Sequence, residues 1–96
     1  MVRPETIVYV ESLSHVLHIY TIKDHLAIPY KTLNKLLQDV ESERFLQCSR
    51  NTVVNMDYIS HVDFTNQYII LEKGYGSVEI GGSFKNKIKR RLGVKK

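Results

Sequence analysis

The sequence predicts a mainly β domain of elongated antiparallel strand meanders, with one short helix between them and a short C-terminal helix. Three observations carry this expectation. Short runs of β-branched and aromatic residues recur, at Thr6-Ile7-Val8-Tyr9-Val10, Val16 to Ile22 and Tyr68-Ile69-Ile70-Leu71. Polar, turn-forming segments separate such runs at short intervals. Helical spacing appears twice, in Leu33, Leu36, Leu37 and Val40 and again in Phe84, Ile88 and Leu92.

Length and charge bound the reading. The 96 residues, 43% of them hydrophobic, fit one domain over 1–96 with a core over about 6–92. No apolar run approaches the roughly 18 residues of a membrane span, and the N-terminus lacks a signal-peptide apolar region, so a soluble, cytoplasmic protein without membrane contact is expected. The single cysteine, Cys48, excludes an internal disulfide. The 4 histidines show no metal-site spacing, so no metal and no cofactor is expected. The formal charge of +4 hides an asymmetry: residues 1–84 hold 7 basic and 10 acidic side chains, whereas 85–96 hold 7 basic and none acidic. Such a block suits phosphate backbones or anionic lipid, and equally a solvated tail.

In chain order, Thr6–Val10 reads as a buried strand closed by Glu11, and Val16–Ile22 as a second strand. His15 lies at the tip of the hairpin between them. Lys23-Asp24 turns the chain into a third strand, His25–Ile28, which Pro29 ends. The Leu33/Leu36/Leu37/Val40 pattern predicts an amphipathic helix from Lys31 or Thr32 to Asp39, packed on the sheet. Glu41-Ser42-Glu43 is an acidic link. Alternation over Ile59–Phe64 places Val62 and Phe64 on one face and His61 and Asp63 on the other. Turns at Thr65-Asn66-Gln67 and Glu72–Gly76 make a second meander with Tyr68–Leu71 and Ser77–Ile80. Gly81-Gly82 releases the chain, Ser83 is the expected N-cap, and Phe84, Ile88 and Leu92 form one apolar stripe of a helix that Gly93 ends.

The most informative stretch runs from Phe45 to Ile59. Two apolar anchors, Phe45-Leu46 and Val53-Val54, flank the polar segment Ser49-Arg50-Asn51 and hold it out from the surface. A guanidinium fork suits guanine O6 and N7, and a carboxamide suits adenine N6 and N7, so this pairing fits base reading in a major groove. Asn55 reads as a turn residue rather than a contact. Cys48 has two readings, a small buried hydrophobe or a redox-sensitive thiol whose thiolate Arg50 would favour.

In register, Phe45, Cys48, Arg50, Val53, Val54, Asn55 and Ile59 resemble the core pattern of the LytTR DNA-binding domains, the output half of many bacterial quorum-sensing response regulators, and the resemblance runs from Ile7 to Leu92. It implies a LytTR-like β-β-β sandwich that binds promoter DNA through projecting loops. His15 matches, in residue type, a loop position that enters a DNA groove in that family; the alternative is a hairpin histidine capping its own backbone. The family usually carries a Ser-Arg pair where this chain has Gly81 and Gly82, which leaves Lys85 and Lys87 to supply the missing charge as phosphate contacts. A receiver domain would lie outside this chain, which is then an excised fragment or a free-standing regulator. A second copy on the DNA is implied as well.

The leading expectation is therefore a sequence-specific double-stranded DNA reader using His15, Ser49, Arg50, Asn51, Lys85 and Lys87, with the His15 and Arg50 loops in successive major grooves. A competing reading is a protein-interaction β module whose exposed strands pair with a partner, the basic tail being incidental. A third is single-stranded nucleic acid binding, with Tyr68 and Tyr75 as stacking candidates. Catalysis is not indicated: paired carboxylates, an activated nucleophile and a phosphate-cradling glycine loop are all missing from the sequence pattern.

Overall fold

The computed structural model describes residues 3–29 and 42–93. The helix expected between Lys31 and Asp39 lies outside the described residues. Among the described residues eight strands form two antiparallel sheets. β1 (Ile7–Leu13), β2 (Val16–Thr21), β3 (His25–Pro29), β4 (Phe45–Gln47) and β5 (Thr52–Asn55) make a five-stranded sheet in the order β3-β2-β1-β5-β4. The second sheet holds β6 (Ile59–Asp63), β7 (Tyr68–Leu71) and β8 (Ser77–Glu79) in sequence order, followed by the helix α1 (Lys85–Arg91).

β1 runs further than the sequence suggested. It continues past Glu11, with Ser12 opposite Leu17 and Leu13 opposite Val16. The turn is thereby reduced to Ser14-His15, whose φ angles of 49° and 66° give both residues the left-handed conformation of a tight hairpin. That conformation matches the right-handed twist of the flanking strands, which is why such turns close two-residue hairpins. At the next turn the Thr21 hydroxyl accepts from the backbone amides of Lys23 and Asp24, at 3.2 and 2.8 Å. Pro29 is the last residue of β3, an edge strand, where its lack of an N–H costs no ladder bond.

The doublets Phe45-Leu46 and Val53-Val54 have a simple cause. β4 and β5 are covered on both faces, and successive strand side chains point to opposite sides. Leu46 and Val54 join Val8, Cys48, Ile69, Ile80 and Ile88 in one core cluster, to which both the second sheet and α1 contribute. Phe45 and Val53 join Ile7, Val10, Leu17 and Ile19 in another. All four residues of β5 are buried. Burying each such aliphatic side chain favours folding by about 1.5–3 kcal/mol, so this hairpin is the most firmly held part of the sheet.

Asn55 holds the junction between the sheets. It is fully buried, its Nδ2 donates to the Ile7 carbonyl at 2.8 Å, and its Oδ1 accepts from the Asp57 amide at 2.9 Å. It thereby caps the 3-10 turn Met56–Tyr58, as its expected turn role requires. Phe84, Ile88 and Leu92 do form the apolar stripe of α1, with Ile88 wholly buried and the other two half-buried against the same cluster. Gly93, at φ 74°, ends the helix. Ser83 is not its N-cap. A 3-10 turn, Gly82–Phe84, is interposed, closed by the Phe84 amide on the Gly81 carbonyl at 2.9 Å, and no side chain caps α1.

Candidate nucleic-acid interface

Ser49-Arg50-Asn51 forms the tip of the β4–β5 hairpin, and backbone bonds fasten it from three sides. Within the hairpin, the Cys48 and Ser49 amides both donate to the Thr52 carbonyl, at 3.0 and 3.4 Å. On one flank the Ser12 amide of β1 donates to the Asn51 carbonyl at 2.8 Å. On the other, the Gly81 amide donates to the Cys48 carbonyl at 2.8 Å. The Ser49 hydroxyl is occupied locally, accepting from the Asn51 amide at 3.3 Å. Arg50 and Asn51 are exposed, and their side chains make no bond among the described residues.

These flanking bonds set an order on the surface. Asn51 adjoins β1, which leads to the His15 turn; Cys48 adjoins Gly81, which leads to α1. The Ser49-Arg50-Asn51 loop therefore sits between the exposed His15 and the basic helix. Lys85, half-buried, opens α1, and Lys87 is exposed with its Nζ 5.9 Å from the centre of the Phe84 ring. Lys89 lies 5.1 Å over Phe64. Arg91 is used differently: its guanidinium donates to the Glu43 carbonyl at 2.8 Å and lies 3.2 Å from the Met56 sulfur, so it braces the helix against the body.

Gly81 is closely packed and Gly82 is open. A Cβ on Gly81 would stand 3.1 Å from Phe84 Cδ1 and 3.4 Å from Ser49 Cα, so the Phe84 ring would have to give by a few tenths of an ångström. A Cβ on Gly82 would meet only the Gln67 Oε1, at 4.0 Å. The sequence pattern gave no signal for Gln67, yet the fold brings it to this surface beside Gly82.

The model of the LytTr DNA-binding domain family matches residues 1–93. The chain belongs to the LytTR family of DNA-binding domains. Among solved structures, it is similar to the LytTr DNA-binding domain of a Bacillus cereus protein described as a methyl-accepting/DNA response regulator, with a TM-score of 0.80 at 19% identity, covering 96% of this chain and 85% of that one. No curated protein sequence matches.

Within this LytTR domain a cleft of about 690 Å³ opens beneath the Ser49-Arg50-Asn51 loop, lined by Ser49, Asn51 and Gln67 and also by Glu11, Tyr68 and Glu79. Its carboxylates disfavour phosphate inside it. Tyr68, one of the stacking candidates, is exposed here, whereas Tyr75 is half-buried and packs edge-on against Tyr58 with ring centres 5.9 Å apart. Cys48 is wholly buried, its thiol donates to the Thr52 carbonyl at 3.6 Å, and burial pushes its pKa up to about 12. That is the opposite of thiolate activation, so the geometry supports the packing role rather than the redox one. Asp63 accepts from the Asn66 amide and from Asn66 Nδ2, at 3.0 and 2.9 Å, which lowers its pKa and assigns it to the β6–β7 turn.

Proposed function

We propose that this LytTR domain reads double-stranded promoter DNA through the row His15, Arg50 and Lys85. The single observation that carries this reading is the Arg50 tip, a guanidinium without a partner among the described residues, on a loop fastened from three sides between a hairpin tip and a basic helix. A loop fastened by backbone bonds loses little backbone entropy on binding, and the planar fork it carries suits bidentate contact to a guanine edge. Ser49 and Asn51 add backbone or base contacts, and Lys85 and Lys87 neutralise phosphates.

The spacing of the loops refines the docking. From Ser12, which is bonded to Asn51, the chain reaches His15 in three residues, at most about 10 Å, the last two of them in the turn. One turn of B-DNA is about 34 Å. His15 and Arg50 thus address neighbouring parts of the duplex within one turn, rather than each taking its own major groove.

In this reading the domain is the cytoplasmic output part of a transcriptional response regulator. A receiver domain outside this chain and a second copy on a paired site complete the assembly, and DNA bending adds shape-dependent specificity. The test is to sequence the duplexes that the domain retains from a random pool. Enrichment of one motif supports the proposal; weak, motif-free binding that vanishes with salt contradicts it and favours the protein-interaction module.

A further inference from the structure

We propose that Gln67 is a further specificity-determining residue, its carboxamide reading an adenine edge next to the base addressed by Arg50. The inference rests on the DNA-reading function proposed above. Its geometry comes from three elements meeting at one place. The Gln67 carbonyl accepts from the Ile80 amide at 2.9 Å, which fixes the residue against the strand that leads into Gly81 and Gly82. Its Oε1 lies in the open space over Gly82, and it lines the same cleft as Ser49 and Asn51.

The turn itself is rigid. Asp63 engages both the amide and the side chain of Asn66, so Asn66 is consumed in holding the turn. Gln67 follows at φ 63°, the left-handed conformation that closes the turn into β7. Its half-buried carboxamide makes no hydrogen bond among the described residues. Like Asn51 on the same surface, it holds a donor and an acceptor side by side and uses neither among the described residues. That pair matches adenine N7 and N6.

The test compares motifs retained from a random duplex pool by the unaltered domain, Gln67→Gly, Gln67→Glu and Arg50→Ala. Glycine suits the positive φ, so the fold is kept while the carboxamide is lost. Gln67→Gly is expected to erase an adenine preference at a position distinct from the one that Arg50→Ala erases, and to weaken the full motif by about 5- to 150-fold while leaving random DNA unaffected. Gln67→Glu, an acceptor only, is expected to shift that position toward cytosine. A Gln67→Gly motif identical to the unaltered one, alongside a changed Arg50→Ala motif, would remove Gln67 and leave DNA reading intact. Equal weakening on all sequences would make it a phosphate contact and overturn the inference too. No motif from the unaltered domain would overturn DNA reading, and this inference with it.

Discussion

The Gly81 amide donates to the Cys48 carbonyl at 2.8 Å, and this bond couples the reading loop to the start of the basic helix. Two otherwise separate elements, one from each half of the chain, are thereby held in a single register. A methyl group at Gly81 would press on Phe84 at 3.1 Å and on the Ser49 backbone at 3.4 Å. Gly81→Ala is therefore expected to cost about 1–3 kcal/mol of stability and to weaken DNA binding as well. Urea unfolding midpoints together with anisotropy titrations check both effects.

Gly82 has no such constraint. Its neighbourhood is open, so Gly82→Arg is expected to fold normally and to tighten DNA binding. One added phosphate contact should steepen the slope of log K against log salt by about 0.9. An unchanged slope would place residue 82 away from the DNA.

Arg50 and Lys87 are expected to fail differently. Arg50→Ala should cost about 1–3 kcal/mol on the preferred site and relax the preference at one base. Lys87→Ala should weaken every sequence alike and flatten the salt slope. Parallel titrations on the preferred site and a scrambled duplex separate the two.

Asn55 is a stability residue. Asn55→Ala leaves the buried Ile7 carbonyl without its donor and removes the cap on the Met56–Tyr58 turn. The expected loss is about 2–4 kcal/mol, read from denaturant unfolding, with the DNA motif unchanged once binding is measured under folding conditions.

Cys48 is expected to resist alkylation. Burial raises its pKa from 9.0 to about 12, so the nucleophilic thiolate is disfavoured near neutrality and grows only as pH rises toward that value. Iodoacetamide labelling should therefore follow the unfolding equilibrium; fast labelling of the native protein would reinstate the redox reading.

How much was legible in the sequence follows from the kind of signal each residue leaves. Phe84, Ile88 and Leu92 showed α1 because only one face of that helix is covered, so the apolar residues recur at its period. Asn55 was readable as a turn residue for local reasons. β4 and β5 were less so: burial on both faces produces doublets instead of alternation, and the sequence marked them as anchors without marking them as strands. The last residues of β1 were missed because Ser12 and Leu13 belong to strand by pairing, not by burial. Ser83 misled because a 3-10 turn occupies the place of a cap.

The site was legible in part for a similar reason. Arg50 and Asn51 stood out because buried residues bracket them at short range. Gln67 did not, since its place beside Gly82 depends on the second sheet folding back on the first, a relationship between residues distant in sequence. The pairing of β1 with β5 is of the same kind, and it puts Asn51 next to Ser12.

The most direct test of the central claim is an anisotropy titration of the domain on its selected duplex and on a scrambled one, at several salt concentrations, with Arg50→Ala in parallel. A preference for the selected duplex that survives added salt and collapses with Arg50→Ala is expected. Equal affinity for both duplexes, lost together as salt rises and indifferent to Arg50, would contradict that claim.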